Sequence, residues 1–402
     1  MCSSDLFTAV SESGPIETAL IVNGTAKVKV DGNRFLVEGA YVLNYFIQTD
    51  AEDLQILDNY FDGNNKPTRF IMANRSTLGH GLVVRGNQFL NAKTQTITAA
   101  VYGYAGSIIE GNTFRDGDNT ALLLNSAGTG PVSGSIVRGN AFINITGYRG
   151  VGSNAYVTDI GSDTLSSGIL IDGNNFQDCG TTQDVYGFGI FARGNGTIRG
   201  NSFTNFKGYA ADPSTSTAIC ISVSTNGKYL VEGNKFFQEV NSVMARQMYV
   251  INIEETGCTV QGNHCVLTGT LAGWTNCVFR FIRSIGKIYT TVMHNVVLHQ
   301  VGSMAGTGVD LKAIEVTGAY CMVCLNNTQR YNVVANGDGS VVMGNLVLDA
   351  NLDPSGSHSI VSGNSIPNGT FTLNSTAHPV QGTQYQSSSK YPGLDANHYS
   401  GE

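Results

Sequence analysis

Three ionisable side chains occupy comparable places in apolar segments far apart in the chain: Glu254 in MYVINIEE, Arg280 in CVFRFIRS and Glu315 in LKAIEVTG. Strand alternation sends every second residue to one face. It predicts Tyr249, Ile251 and Ile253 inward with Asn252 and Glu254 outward, Phe279 and Phe281 inward with Arg280 outward, and Ile314 and Val316 inward with Glu315 outward. If these strands are neighbours in one parallel sheet, two strand spacings put the carboxylates of Glu254 and Glu315 roughly 9–10 Å apart at the backbone. Acid–base pairs that hydrolyse a glycosidic bond with inversion stand ~6.5–9.5 Å apart, leaving room for water. Arg280 between them would hold an anionic sugar or keep one carboxylate ionised. The competing expectation is a solvated ladder of charges, and a one-residue slip would turn every member to the other face.

Other residues compete for the same chemistry. FGIFARG offers Phe191 and Arg193 outward, and NAYVTD offers Asp159 as a third carboxylate. Sugars bind aromatic faces flanked by polar groups, which makes Tyr186, Tyr209 and the single Trp, Trp274, candidate platforms, with Asp178, Asp184 and Asp212 in the same loops. Asp116 and Asp118 in FRDGDN read as turn residues. β-Elimination would need a base beside a uronic carboxylate and often a cation such as calcium. Lys207 with Tyr209, or Arg246 with Tyr249, are the candidates, but no clustered basic signature accompanies them. His80, His264, His294 and His299 are scattered, with His264 and His294 beside turns. No Ser-His-Asp spacing, phosphate loop or metal-ligand run appears, so no cofactor is expected for hydrolysis.

The elements that position these residues follow from composition and repetition. The 402 residues include 49 Gly, 37 Asn and 8 Pro, and only 13% are charged, with a net charge of −7. Long solvated helices need more Lys and Glu than this, and a disordered chain less Ile, Val and Phe. With 23 Lys+Arg against 30 Asp+Glu, a nucleic-acid partner is not expected. No apolar run approaches the ~18 residues of a membrane span, and the first twenty residues lack the basic and apolar regions of a signal peptide. Most of the eight cysteines lie in apolar strand patterns and read as buried free thiols, in keeping with synthesis in a reducing cytoplasm. Cys321 and Cys324 would face opposite sides of a strand, which argues against a metal site there.

One pattern recurs throughout: apolar residues, then Gly-Asn, one variable residue and Phe, as in VVRGNQF, IIEGNTF, IVRGNAF and LVEGNKF. Its Asn residues are Asn33, Asn59, Asn87, Asn112, Asn140, Asn174, Asn201, Asn234, Asn263, Asn295, Asn326, Asn345 and Asn364, spaced 19 to 34 residues apart. A tight bend between two short strands, once per repeat, predicts one coil of a parallel β-helix. Coils stacked at ~4.8 Å would align the Asn side chains in a hydrogen-bonded ladder and the Phe rings in an internal stack. Asn is also expected to supply positive φ at the bend. The fold class expected is all-β, a single right-handed parallel β-helix of about 12–13 coils, with an N-terminal cap at 1–20, the solenoid at 21–375 and a C-terminal tail or cap at 376–402. SSDLFTAV at 3–10 is expected as a helical turn. Long variable loops between 143 and 310 put the functional face in the middle of the solenoid.

The repeat resembles that of the pectate-lyase-like superfamily, over roughly residues 21–370, and is most like the phage tailspike depolymerases. The resemblance implies a polysaccharide substrate, a homotrimeric assembly and a virion-associated or extracellular protein made in the cytoplasm without a signal peptide. Three activities fit it: hydrolysis by a carboxylate pair, lyase action on a uronan, and non-catalytic adhesion or a structural role in the virion.

Overall fold

The computed structural model describes residues 6–9, 16–22, 27–38, 43–49, 53–66, 69–73, 81–92, 101–102, 106–118, 120–124, 133–147, 155–161, 166–181, 186–207, 217–224, 227–240, 247–269, 278–299, 310–371, 380–381 and 384–385. All regular elements among them are β-strands. The chain forms two compact units, Met1–Asn226 with Val243–Ala245, and Gly227–Ser242 with Arg246–Glu402. Each unit is a parallel β-solenoid whose coils contribute strands to three sheets.

In the first unit, one sheet holds the strands that precede the repeat Asn, from Val28–Asp31 to Gly196–Arg199. A second holds those that follow it, from Arg34–Val37 to Ser202–Thr204, and a third the longer strands from Leu43–Thr49 to Thr217–Val223. In the second unit the corresponding sheets begin at Tyr229–Glu232, Lys235–Val240 and Gln247–Ile253. Residues 6–9, expected as a helical turn, form a strand in parallel register with Arg34–Val37. Ile16–Val22 pairs with Leu43–Thr49, so a boundary at residue 20 falls inside a strand. Val380–Gln381 and Gln384–Tyr385 add strands beyond Ile360–Ser362 and Ser365–Ile366, in the segment read as a tail or cap.

The repeat motif builds the core as its residue types require. Each Asn side chain is buried, and from Asn59 to Asn201 and again from Asn263 to Asn364 its Oδ1 accepts from the preceding coil's Asn. Asn140, for example, donates to Asn174 Oδ1 from its backbone N at 3.0 Å and its Nδ2 at 2.9 Å. Asn174 does the same to Asn201 at 2.9 Å. The ladder resumes within the second unit from Asn234 through Asn364. Positive φ is supplied by the residue before the Asn, usually Gly, as at Gly86, Gly111, Gly139 and Gly173. The Asn is therefore selected for its buried amide and not, as expected, for a left-handed backbone.

Two residues after the Asn, the rings of Phe35, Phe61, Phe89, Phe114, Phe142, Phe176 and Phe203 stack in the first unit with centroids 4.6–4.9 Å apart. In the second unit Phe236 is followed by Cys265, Val297, Thr328 and Val347 at the same register. The volume lost is filled from the third sheet: Phe281 meets Phe236 edge-on at 5.8 Å and Phe279 lies 5.1 Å from Tyr331. Cys179, Cys220, Cys258, Cys265, Cys321 and Cys324 are buried free thiols.

Candidate functional site

The third sheet carries the candidate residues, and its strands do not alternate from end to end. Val250 and Ile251, Phe281 and Ile282, and Ala313 and Ile314 are consecutive residues, all fully buried. Two inward residues in a row mean that each strand turns a corner there and its outward phase shifts by one. Residues three apart then share the outer face. In the second unit this gives two rows across successive coils: Tyr249, Arg280 and Lys312, then Asn252, Arg283 and Glu315. The second row continues through Val334 to Asp353.

This register corrects the uniform alternation read from sequence. Tyr249, expected inward, is half-buried beneath the Arg283 guanidinium, 4.8 Å from its ring centroid. Glu254 stands two residues beyond the row of Glu315. Two coil steps combined with two residues along the strand separate their backbones by roughly 12 Å, outside the inverting range. Glu254 is exposed and accepts from Asn252 Nδ2 at 2.8 Å, while Asn252 Oδ1 accepts from Arg283 at 3.0 Å. Glu315 and Asp353 hold the same row two coil steps apart, which is roughly 9–10 Å.

Arg280 is on the outer face but buried. Its Nε donates to Glu315 Oε2 at 2.6 Å, its Nη1 to the carbonyls of Phe279 and Asp310, and its Nη2 to the Asp310 carboxylate. These bonds make it a clamp on Glu315 and Asp310. Lys312 Nζ donates to the other oxygen of Glu315 at 2.5 Å. Burial pushes the Glu315 carboxyl up, but the hydrogen bonds and charges of Lys312 and Arg280 together outweigh it and hold the group below the usual carboxylate range. Asp353 has the opposite environment. Burial raises its pKa against a Ser355 hydrogen bond and the Lys312 charge, and its Oδ1 is buried without a hydrogen-bond partner. The row thus holds one carboxylate kept ionised and one biased toward its acid form, the division of labour that acid–base catalysis requires.

Asp353 and Arg283 were missed in the sequence. The coils here are 19 residues long, so adding that step to Glu315 lands on Val334 and then Asp353. That signal was available in the spacing of Asn326, Asn345 and Asn364.

The first unit carries a different surface. Asp159 and Arg193 form an ion pair at 2.6 Å, with side chains 7% and 13% exposed. The Arg193 guanidinium lies 5.3 Å from the Phe191 centroid. Phe191 packs against Tyr156 and Phe188 at 4.9 and 5.1 Å, and exposed Tyr186 lies 6.4 Å from Phe188. The same corner explains this cluster, since Tyr156 and Phe188 precede it and Asp159 and Phe191 follow it. It also places Ile219 in the row of Tyr156 and Phe188. Tyr209, Trp274, Arg246 and His80 lie outside the described residues. Lys207 pairs with Asp178 at 3.7 Å. His299 is a buried core residue bonded to Tyr331 and the Gly269 carbonyl.

No protein-family model matches the chain, and no curated relative matches it. Solved structures do share its fold. A double mutant of the tailspike protein of E. coli bacteriophage HK620, in complex with a pentasaccharide, aligns over 95% of this chain and 70% of its own with a TM-score of 0.51 and 12% identity. A single mutant of the same tailspike aligns over the same shares at 11% identity with a TM-score of 0.49.

Proposed function

We propose that the chain is a tailspike-like, virion-associated protein that hydrolyses a surface polysaccharide, with Glu315 and Asp353 as the acid–base pair. The observation that carries this reading is the row Glu315–Val334–Asp353: two carboxylates in register, two coils apart, in environments of opposite sign. Asp353, as the acid, protonates the glycosidic oxygen. Glu315, held ionised by Arg280 and Lys312, takes a proton from the water that attacks the anomeric carbon from the other side. Their spacing leaves room for that water and predicts inversion at the anomeric carbon. Arg283, beside Glu315 and held by Asn252 Oδ1, offers donors to sugar hydroxyls or a uronic carboxylate. Glu254 orients Asn252 and carries no proton to or from substrate.

The pentasaccharide on the tailspike of like fold supports an oligosaccharide as ligand. The Tyr186, Phe191 and Arg193 surface of the first unit, with Asp159 fixing Arg193, is a second place where a glycan would stack. The test is incubation with capsule and lipopolysaccharide samples, followed by reducing-end release. Asp353→Asn and Glu315→Gln are each expected to lower kcat by about 10²–10⁴-fold while leaving the fold intact. Absorbance from unsaturated uronate would replace hydrolysis by elimination. Tight glycan binding without release would make the protein an adhesin.

A further inference from the structure

Three cations stand on the outer face of the second unit's third sheet, and they are engaged differently. Arg280 and Lys312 are matched by the carboxylates of Asp310 and Glu315. Arg280 is buried, with its Nε on Glu315, its Nη1 on two backbone carbonyls and its Nη2 on Asp310, so its fork is filled. Arg283 is the third. Its Nη1 donates to Asn252 Oδ1 at 3.0 Å, and its guanidinium lies over the Tyr249 ring, 4.8 Å from the centroid. No carboxylate among the described residues pairs with it, although two stand near. Glu315 is its register neighbour on the next coil, but both Glu315 oxygens are held by Arg280 and Lys312. Glu254 bonds the other end of the Asn252 amide.

The surroundings hold this charge in place without neutralising it. Asn252 is buried and occupies Arg283's own row on the preceding coil, where an Asp would form an ion pair. The first unit shows that alternative: Arg193, 5.3 Å from the Phe191 centroid, is paired with Asp159 at 2.6 Å. At Arg283 a neutral amide takes one N–H and Tyr249 supports one face, which leaves the remaining donors of the fork to a partner from outside the chain. Arg283 and Tyr249 are both half-buried, and a charged bond made there is less screened than one in bulk water.

The shape of the group selects the partner. A guanidinium supported on a ring presents its N–H bonds edge-on in one plane, and a planar carboxylate accepts two of them in parallel. A hydroxyl brings no charge to balance the fixed cation. The row sets the place: Arg283 is one coil step, ~4.8 Å, from Glu315, and Glu315 and Asp353 bracket Val334 beyond it. We infer that Arg283 selects a glycan with a carboxylate-bearing sugar, seated beside the bond that Glu315 and Asp353 cleave. The assignment rests on the proposed glycan cleavage for its ligand class and adds the charge of the substrate.

The test compares acidic capsule polysaccharides with the same polymers after carbodiimide activation and borohydride reduction of their carboxylates to alcohols, beside neutral and phosphodiester-linked polymers. Binding to the full chain is read by affinity electrophoresis and cleavage by reducing ends. A native acidic polymer should bind at least tenfold more tightly than its reduced form. Arg283→Gln should abolish that difference, weakening the acidic polymer by about 10–100-fold and leaving the reduced one unchanged. Arg283→Lys, which keeps the charge and loses the fork, should retain only part of it. Asn252→Asp leaves Arg283 in place and gives it an internal carboxylate, so discrimination should again be lost. Equal binding of native and reduced polymers, binding confined to neutral or phosphodiester polymers, binding to none, or a preference that survives both Arg283→Gln and Asn252→Asp in chains with the parent's circular dichroism would overturn the assignment. Discrimination without released reducing ends would support Arg283 as the carboxylate receptor and remove hydrolysis. Reducing ends released equally from native and reduced polymers would overturn the role of Arg283 and leave hydrolysis standing.

Discussion

Asn174 and Asn175 are neighbours in sequence and opposites in role, and replacing each by Ala isolates what the ladder contributes. Asn174 Oδ1 accepts from the Asn140 backbone N at 3.0 Å and from Asn140 Nδ2 at 2.9 Å, and Asn174 Nδ2 donates to the Val137 carbonyl and to Asn201 Oδ1, both at 2.9 Å. In Asn174→Ala, Asn140 Nδ2 keeps the Ile109 carbonyl and Asn201 Oδ1 keeps the Asn174 backbone N. The Asn140 amide and the Val137 carbonyl lose these buried partners. At about 1–3 kcal/mol per unsatisfied buried group, the cost is about 4 kcal/mol. Asn175 is exposed, so Asn175→Ala should stay within about 0.5 kcal/mol of the parent chain. Solenoids need not unfold in one step, so the assay is amide hydrogen exchange rather than a global midpoint. Protection at Asn140 should fall by about 10³-fold in Asn174→Ala, at 1.4 kcal/mol per tenfold, and stay unchanged in Asn175→Ala. Equal protection in both variants would refute the claim that the side-chain ladder, and not the motif's backbone alone, holds the coils.

Further outcomes follow from the same geometry. Glu315 is held below the usual carboxylate range, so it contributes stability above the unfolded carboxyl pKa of about 4.3 that is lost as pH falls through the lower folded value. Urea midpoints should therefore show Glu315→Gln less stable than the parent chain at pH 7 and the gap closing by pH 3. Asp353 is raised by burial, so its penalty appears only above the unfolded Asp pKa of about 3.9, and Asp353→Asn should be the more stable chain at pH 7 but not at pH 3. Gly189→Ala would put a Cβ 2.6 Å from the Cys220 carbonyl and 2.8 Å from the Phe203 ring, with an expected cost of about 1–3 kcal/mol in denaturant titration. Cys179 is pushed up to about 12 by burial, and Cys265 is raised further by the same cause. Peptide mapping after thiol labelling at pH 8 should find both unmodified in the native protein and modified after unfolding.

What was legible in the sequence was whatever repeats once per coil. Gly-Asn-x-Phe identified the turn, the ladder and the stack, because a stacked coil puts one residue type at one height again and again. What escaped was what changes inside a coil. The corner at Val250–Ile251 and its equivalents adds a second inward residue to each strand, which strict alternation cannot register. It moved Tyr249 outward, brought Arg283 beside Asn252, and separated Glu254 from the row of Glu315. Asp353 was hidden differently: NLDPSG reads locally as a turn, and only the 19-residue coil step ties it to Glu315. Tyr289, Tyr320 and Leu325 escaped differently, because they occupy left-handed positions that sequence alone would assign to Gly or Asn.

The most direct test of the proposed activity follows the anomeric proton by NMR while the chain digests a capsule or lipopolysaccharide glycan that it binds. Release of a product whose anomeric configuration is inverted, abolished in Asp353→Asn and in Glu315→Gln but retained in Glu254→Gln, is the result predicted. Release with retained configuration, or activity that survives both Asp353→Asn and Glu315→Gln, would contradict it.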